Sequence, residues 1–500
     1  MTHEVEAAAY ILRAMEEIEK NGDPYANDEE LYQACRLAYG VTFNAYRADK
    51  AVLVRAKALR VEGKRIYRAR MCSYENFAAK RLAELLGKPQ LDIPEAENPL
   101  KCGDVILNED QREAVLLALK NRISVICGGA GSGKTTTIQA ILEKYKDMDE
   151  EKSVLLAAPT GKAARVLSQA TGWRARTVHS ALGRTPDDDF LAPVEWPQLG
   201  LIIIDESSML SLELLAGILS RMPDDCRCVL VGDPGQLQAV GAGNVLLDLR
   251  TLNVPGAMLK TQYRQRNRTS ALTYNVHAFA QIRTGQELRF DESFQFAPCD
   301  EDKIVDVMCC AAKKYWDAGE DVQMLAATKD IVQRLNLTMQ AICNPRSKDK
   351  LEYGIFHDGD QVMILKNIPL KSCCNGDVGI LHFENDLFGN PCISVVRRYG
   401  CVSTFTYQEA RTMLTLAYAS TIHKAQGSQA EHIIIYCGRS GMPLIKRNLI
   451  YTAISRARTD ALLVGDRTTL ERAIQTQPRA RKSMLVIKTR QARQDRKSVV

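Results

Sequence analysis

A glycine-rich loop at residues 128–135, GGAGSGKT, has the residue types and spacing that bind a nucleotide phosphate. Glycine lets the backbone wrap closely around a phosphate and turn its N–H groups inward. Lys134 is expected to contact the β- and γ-phosphates, and Thr135 is expected to be a Mg²⁺ ligand. The residues predicted to hold the nucleotide are Gly129, Ala130, Gly131, Ser132, Gly133, Lys134, Thr135 and Thr136.

Two acids, Asp205 and Glu206, directly follow the apolar run 201–204. Side chains that follow the strands of an open α/β sheet project into the crevice where ligands bind. Asp205 is expected to hold Mg²⁺, through its water shell, and Glu206 to position and polarise the attacking water. Paired acids after a strand also occur as simple surface turns, but the phosphate loop upstream favours a hydrolytic site.

Phosphoryl transfer also needs positive charge at the γ-phosphate as charge shifts in the transition state. Arg264 in TQYRQ and Arg456 in YTAISRAR are candidates for this role. An isolated arginine is a surface residue by default, and spacing alone does not select these two.

These residues must be positioned by strands, and short runs that are apolar throughout predict strands buried on both faces, as in a parallel sheet. Helical patterns separate the runs, which gives the alternation of an α/β domain. The first runs lie at 123–127, 154–158, 201–204 and 228–231, and a second set lies at 322–327, 414–419, 432–436 and 461–465. The sequence therefore predicts two similar α/β domains, spanning about 101–262 and 263–475.

The remaining segments have a different texture. Residues 1–100 are mostly helical, and a short hairpin around Gly63 followed by a helix over 73–86 gives the pattern of a winged-helix module. The apolar side of the first predicted helix carries Ala8, Ile11, Leu12, Met15 and Ile18. Residues 351–411 alternate β-type runs with Gly, Asn and Asp turns, which predicts a small β-barrel insertion in the second domain.

Composition bounds the class of protein. No run approaches the roughly 20 apolar residues that span a bilayer, and the acidic N-terminal region lacks the pattern of a secretory signal. The cysteines form no CxxC pair and lie mostly in apolar runs, so a reducing cytoplasm without a membrane association is expected. The net charge of +6 is weakly informative, but the stretch 47–70 and the tail 476–500 are strongly basic. The stretch 47–70 is either a polyanion-binding surface or a solvated helix face. The tail is either a polyanion-binding surface or a frayed terminus.

Taken together, these motifs resemble superfamily 1 helicases, specifically the RecD-like branch, over roughly residues 100–470. The matching segments, in chain order, are Asn108–Gln111, GGAGSGKTTT, APTGKAARVL (158–167), TVHSALG (177–183), DESSML (205–210), GDPGQLQAVGAG (232–243), TQYRQ (261–265), LAYASTIHKAQGSQ (416–429) and YTAISRAR (451–458). The resemblance implies two RecA-like P-loop domains with parallel sheets, an SH3-like insertion at about 351–411 and a helical, winged-helix-like N-terminal module.

The resemblance also implies roles for residues that spacing does not select. Gln111 would read adenine and Gln236 would sense the γ-phosphate, whereas Arg264 and Arg456 would contact that phosphate from the second domain. A short hairpin at about 184–197 would wedge a duplex. The residues that would touch the backbone of a single DNA strand are Thr160, Gly161, His179, Thr421 and His423.

The implied activity is ATP-dependent DNA translocation and unwinding with Mg²⁺, in the 5′-to-3′ direction typical of this branch, in repair or recombination. Single-stranded DNA and duplex junctions are the implied partners, nuclease or repair-complex subunits are further candidates, and no oligomer is required. Three alternatives remain: a Pif1-like helicase, the helicase part of a conjugative relaxase, and a non-catalytic DNA-binding subunit that holds ATP structurally. The relaxase would need a histidine cluster near its N-terminus, where only His3 precedes His179.

Overall fold

The computed structural model describes most of the chain. The described residues are 2–93, 100–149, 151–183, 196, 198–261, 263, 270–280, 287–346, 351–371, 373–386, 389–397 and 400–498. Arg264 lies outside this part of the chain, as does the predicted hairpin at 184–197 apart from Trp196.

The N-terminal module is a helical unit with one hairpin, as its sequence pattern predicts. Its elements are α1 (Thr2–Lys20), α2 (Asp28–Tyr39), α3 (Phe43–Arg55), β1 (Leu59–Glu62), β2 (Arg65–Arg68) and α4 (Ala69–Gly87). Ile11 and Met15 of α1 are fully buried against Leu31 and Tyr46, so the apolar side of the first helix forms the module's core. The hairpin turns at Gly63, and α4 begins four residues before the predicted position 73.

The first α/β domain contains a six-stranded parallel sheet. Its elements are the small hairpin β3 (Lys101–Cys102) and β4 (Val105–Ile106), then α5 (Glu109–Lys120), β5 (Ile123–Gly128), α6 (Lys134–Met148), β6 (Ser153–Ala158), α7 (Gly161–Thr171), β7 (Ala175–Thr177), α8 (Val178–Leu182), β8 (Leu199–Ile204), α9 (Leu212–Arg221), β9 (Arg227–Gly232), α10 (Val245–Thr251) and β10 (Gly256–Leu259). The strand order is β10-β5-β9-β8-β6-β7. The four predicted strands are confirmed as β5, β6, β8 and β9.

The second α/β domain contains a five-stranded parallel sheet in the order β11-β22-β21-β12-β20. It begins with α11 (Ala271–Ala280), β11 (Phe294–Pro298), α12 (Ile304–Asp317), β12 (Val322–Ala326) and α13 (Lys329–Cys343), and after an insertion it continues with β20 (Ala419–Thr421), β21 (Ala430–Cys437), α15 (Arg447–Ile454), β22 (Ala457–Gly465) and α16 (Arg467–Gln475). The α/β architecture with two parallel sheets is thereby confirmed.

The insertion contains a five-stranded antiparallel sheet in the order β18-β17-β16-β15-β19. Its elements are β13 (Glu352–Tyr353), β14 (Phe356–His357), β15 (Gln361–Ile364), β16 (Val378–Asn385), β17 (Pro391–Arg397), β18 (Val402–Phe405), α14 (Tyr407–Met413) and β19 (Leu414–Leu416). The single strand predicted at 414–419 is wrong. Residues 414–416 pair antiparallel with β15, whereas 419–421 join the parallel sheet beside β12.

The C-terminal segment is ordered, so the frayed-terminus alternative is wrong. It forms α17 (Leu485–Lys497), which packs against α4 of the N-terminal module. Leu485 is fully buried in the core shared by α4 and the first domain. Among the described residues, no helix is both long and apolar enough to cross a membrane.

Candidate active site

The phosphate loop connects β5 to α6 at the carboxyl edge of the first sheet. Gly133, with φ of 83°, adopts the left-handed conformation that favours glycine, and a Cβ there would overlap the Gln111 side chain. The backbone therefore reverses tightly into α6, whose N-terminal end faces the loop and favours an anion. Two side-chain bonds reinforce the loop, because the Lys134 ammonium donates to the carbonyl oxygens of Gly128 at 2.8 Å and Gly129 at 2.9 Å.

The acid pair stands at the end of β8, two strands along the sheet from β5. The Asp205 carboxylate accepts the backbone N–H of Glu206 at 2.8 Å. Glu206 has φ of 50°, a strained conformation for a residue with a side chain, and this turn aims its carboxylate into the cleft. Desolvation, reinforced by the Glu206 carboxylate, raises the pKa of Asp205, while the Lys134 ammonium opposes that rise.

The segment after β9 carries Gln236, which is 3% exposed. Its amide nitrogen donates to Asp233 Oδ2 at 3.2 Å, and its side-chain oxygen Oε1 is buried without a hydrogen-bond partner in the described chain. A buried acceptor that lacks a donor is costly, so this oxygen is poised for a ligand or for water.

Arg456 belongs to the second domain and lines the same cleft, although more than 200 residues separate it from Gln236. It is 3% exposed, and its guanidinium donates to the carbonyl oxygens of Thr452 at 3.2 Å and Ser428 at 3.3 Å. The cleft has a volume of about 290 Å³ and is lined by Ala130, Gly131, Gly133, Lys134, Thr135, Ala163, Val166, Asp205, Glu206, Gln236, Tyr263, Gly427, Gln429 and Arg456. The structure thus brings the predicted acids, lysine, glutamine and arginine together between the two sheets.

Gln111 lies beside Gly133, near the C-terminal end of the phosphate loop. It closes a capping box with Asn108 at the start of α5, and its amide nitrogen is 3.5 Å from the Gly133 carbonyl oxygen. Tyr263 completes this corner, because its backbone N–H donates to the Gly131 carbonyl at 2.7 Å and its hydroxyl accepts from Asn108 at 2.7 Å.

Two bonds across the cleft involve Tyr451, a residue that the sequence did not single out. The Tyr451 hydroxyl donates to Asp233 Oδ2 at 2.6 Å and lies 3.4 Å from the backbone nitrogen of Ala130. Burial and the Asp233 carboxylate raise the pKa of Tyr451, so the phenol keeps the proton that it donates. Tyr451 opens the matched segment YTAISRAR, and that position was the only available signal.

The residues of the cleft fit a Mg²⁺–nucleotide pair. Thr135 and Asp205 offer the hydroxyl and carboxylate oxygens that Mg²⁺ prefers. Glu206 Oε2 is buried and lacks a hydrogen-bond partner within the described residues, which leaves one acceptor free for a water molecule beside the phosphate. Thr136 lies in the first turn of α6, where backbone N–H groups have no partner within the helix.

The predicted DNA ligands lie at the carboxyl edges of other strands. Thr160 caps α7 after β6 and accepts the Ala163 N–H at 3.2 Å, and Gly161 follows it. His179 lies in α8 after β7, and burial lowers the pKa of its imidazole. Thr421 ends β20 in the second sheet, and His423 is exposed two residues later. Because β6 and β7 lie at one side of the first sheet, these residues are displaced from the phosphate loop on β5.

The insertion packs against α7, beside the predicted DNA ligands. Arg165 of α7 forms an ion pair with Asp377 at 2.6 Å, and a Cβ at Gly161 would lie 2.9 Å from the Cβ of Cys374. The predicted ligand Gly161 is therefore buried against the insertion, and Thr160 lies next to this contact.

Comparisons with known proteins match the same parts of the chain. Residues 106–295 match a family described as an AAA domain, and residues 416–464 match the UvrD-like helicase C-terminal domain. The chain is 30% identical to the ATP-dependent RecD2 DNA helicase of Deinococcus radiodurans over 450 residues, which cover 88% of this chain and 61% of that protein. It is 30% identical to the RecBCD enzyme subunit RecD of Mycolicibacterium smegmatis over 417 residues, which cover 74% of this chain and 73% of that protein. The chain thus spans less than two thirds of the Deinococcus protein.

The chain is also similar to solved structures of Pif1 helicases. Bacteroides Pif1 bound to single-stranded DNA is 21% identical, with a TM-score of 0.49, and the match covers 75% of this chain and 95% of that one.

Proposed function

The chain belongs to the RecD-like family of superfamily 1 ATP-dependent DNA helicases, and from this premise we propose that it couples ATP hydrolysis to 5′-to-3′ movement along single-stranded DNA and to duplex unwinding, in repair or recombination. The observation that carries the proposal is the cleft in which Lys134, Asp205, Glu206 and Gln236 of one sheet face Arg456 of the other. A site divided between two domains changes shape when its ligand changes, which is what a motor requires.

In this proposal each residue of the cleft has a separate task. Lys134 and the loop 129–136 hold the nucleotide phosphates, while Gln111 and Tyr263 lie where the base would be. Thr135 and Asp205 hold Mg²⁺, which neutralises phosphate charge when bound. Glu206 orients the attacking water. Gln236, in the segment after β9, contacts the γ-phosphate from the first domain. Arg456 contacts it from the second domain, with Arg264 as a second arginine.

The DNA strand is proposed to run along the edge that carries Thr160, Gly161 and His179 and to continue over Thr421 and His423. Hydroxyls, backbone amides and a neutral imidazole suit phosphates without reading sequence. Closing and opening of the cleft would move the two groups of ligands relative to each other. Alternating grip by the two groups then gives directional stepping.

The insertion at about 351–411 is proposed to be SH3-like, on the support of its five antiparallel strands and its sequence pattern. Its proposed role is to cover the DNA edge, since Arg165 and Asp377 connect it to α7. Nuclease or repair-complex subunits are proposed as partners, because one relative is a subunit of a larger enzyme. A non-catalytic ATP-binding subunit is the second reading, but an acid pair and an arginine at the cleft support hydrolysis.

Polarity and unwinding are tested together with partial duplexes that bear either a 5′ or a 3′ single-stranded tail. We expect ATP-dependent strand displacement from the 5′-tailed substrate and at most a small fraction of that rate from the 3′-tailed one. A blunt duplex is the control for fraying. Preference for the 3′ tail would contradict the polarity, and ATP hydrolysis that single-stranded DNA fails to stimulate would contradict the motor assignment.

The N-terminal module is proposed to be winged-helix-like and to contact the duplex ahead of the motor. In this arrangement α3 follows α2 through a short turn, and the hairpin β1–β2 follows α3 as a wing. Exposed cations lie on α3, on the wing and on the link between them, and they form no ion pair among the described residues. They are Arg47, Arg55, Lys57, Arg60 and Lys64. The acid within α3, Asp49, is buried, so the outer surface is cationic.

Removing three of these cations should weaken binding to forked DNA and make the affinity less dependent on salt. Each phosphate contact to duplex DNA contributes about 0.9 to the slope of log K against log salt. We therefore expect the combined change Arg47→Ala, Arg55→Ala and Arg60→Ala to lower that slope by up to about 3. Lys303→Ala, Lys313→Ala and Arg467→Ala together form the control, because they remove the same charge from exposed sites in the second domain. Equal slopes for the two triple variants would contradict the proposal.

A further inference from the structure

The segment that leaves the second domain returns to the rest of the molecule. Helix α16 ends at Gln475, and residues 476–484, which we call the C-terminal arm, lead to α17 on the N-terminal module. Ion pairs fasten the arm there, since Arg479 contacts Asp23 at 2.6 Å and Lys482 contacts Glu30. The C-terminal end of the second domain is therefore attached to the N-terminal module.

Arg481 of the arm has a different set of partners. Its guanidinium donates to the carbonyl oxygens of Gly241 and Gly243 at 2.9 Å each, and to that of Ala239. Three backbone carbonyls that converge on one planar fork of donors are fixed in orientation as well as position. The contact leaves no room for a side chain at Gly22 of the N-terminal module, which has φ of 105° and whose Cβ would overlap the guanidinium.

These carbonyls belong to the loop that begins at Gln236 of the cleft. In its first part, the Leu237 N–H donates to Thr452 Oγ1 of the second domain at 3.1 Å. In its last part, the Gly243 N–H donates to the Gly22 carbonyl at 2.9 Å, beside Arg481. One short loop therefore contacts the nucleotide cleft, the second domain, the C-terminal arm and the N-terminal module in succession.

We propose that Arg481 is a positioning residue that fixes the loop 239–243 and, through it, Gln236, so that the C-terminal arm couples the nucleotide cleft to the N-terminal module. The inference rests on the proposed function for what the cleft does, but its geometry is independent of DNA. A cavity of about 580 Å³ is lined by Leu237 and Gln238 at the start of this loop and by Arg481 of the arm, so the space beside the Arg481 contact is not filled by other side chains. Arg481 is the side chain that holds three of the loop's carbonyl oxygens at once.

The consequence is a specific change in kinetics. Without Arg481 water can bind the loop carbonyls in the space that the guanidinium leaves, so the fold persists while Gln236 loses its fixed position. The phosphate loop and Lys134 are untouched, so nucleotide binding is retained. We expect Arg481→Ala to lower the kcat of DNA-stimulated ATP hydrolysis about 5- to 30-fold, with KM for ATP changed less than about twofold.

The experiment compares Arg481→Ala, Arg481→Lys and Arg479→Ala in the full chain. Arg479 is the matched control, because it lies two residues away on the same arm and contacts the N-terminal module without touching the loop. We expect Arg479→Ala to keep the wild-type kcat and Arg481→Lys to recover only part of it, since a single ammonium does not match three carbonyls. Hydrogen exchange should accelerate at 239–243 in Arg481→Ala alone.

Equal kcat for Arg481→Ala and Arg479→Ala would overturn the inference, as would a loss of activity in Arg481→Ala that matches a loss of folded protein by circular dichroism. The ATPase rate of the wild-type protein, measured with and without single-stranded DNA, distinguishes failure of the proposed function from failure of the role given to Arg481. If DNA failed to stimulate the wild type, the proposed function would fail, and the comparison of basal kcat and loop exchange would still decide the role of Arg481.

Discussion

Replacement of Lys134 by alanine is expected to abolish ATP hydrolysis while leaving the fold intact. The ammonium group is held at the phosphate loop by the carbonyl oxygens of Gly128 and Gly129, so it is already placed where phosphate charge would arrive. Loss of one well-placed donor at a reacting centre costs about 10²–10³ in kcat, and Lys134 supplies a full charge in addition. We therefore expect the ATPase rate at saturating single-stranded DNA to fall by at least about 10²-fold.

The matched control is Lys146→Ala, because Lys146 lies near the other end of the same helix and is exposed. It should retain the wild-type rate. Circular dichroism and a thermal melt should show that both variants are folded. Retention of more than roughly a tenth of the ATPase activity by Lys134→Ala would place the phosphate site elsewhere.

The separation between the nucleotide cleft and the proposed DNA ligands follows from the order of strands in the first sheet. β5, β9 and β8 are neighbours and carry the phosphate loop, Gln236 and the acid pair, whereas β6 and β7 carry Thr160 and His179. Since all of these strands are parallel, every one of these side chains lies at the same edge of the sheet. Helix α7 begins at Gly161 and also lines the cleft at Ala163 and Val166, so a motion of this helix would move both groups.

The four central strands of the first sheet were predicted to within about two residues because their faces are largely buried and their sequences are apolar. The edge strands β7 and β10 were not predicted, because both carry exposed or half-buried positions. The run 414–419 looked like the central strands and was assigned wrongly. Its division depends on partners elsewhere in the chain, because the Ala417 N–H donates to the Gln361 carbonyl and the Ala419 N–H donates to the Asn336 side chain. Apolar content reports burial but does not report which sheet provides it.

The residues of the site also fall into those that local sequence predicts and those that it does not. Lys134, Asp205 and Glu206 follow from local sequence, because each lies within a few residues of the strand that positions it. Arg456 required a resemblance to a family, since nothing near it indicates a phosphate. The Tyr451–Asp233 bond spans 218 residues and the Arg481–Gly241 bond spans 240, and neither has a local pattern that marks it.

Replacement of Arg456 by alanine is the second large effect that we expect, and it tests whether the cleft acts as an interdomain clamp. An arginine that neutralises the transferring phosphoryl group contributes about 10³–10⁵ in kcat. Because Arg456 also braces the Thr452 and Ser428 carbonyls, we expect kcat to fall at least about 10³-fold and the melting temperature to fall modestly. Binding of a fluorescent ATP analogue should weaken far less, because Lys134 and the phosphate loop remain.

Arg456→Lys separates the two roles of this side chain. Lysine keeps a positive charge but loses the planar fork that reaches two carbonyls, so it should restore part of the stability and little of the rate. Arg467→Ala, an exposed residue at the start of α16, should match the wild type in both measurements. If Arg456→Ala lowered stability and nucleotide binding but left the catalytic rate of the bound fraction unchanged, the arginine would be a brace within the second domain. Hydrolysis would then not require Arg456 from across the cleft, and a clamp built on this arginine would no longer explain how the nucleotide cycle moves the proposed DNA ligands.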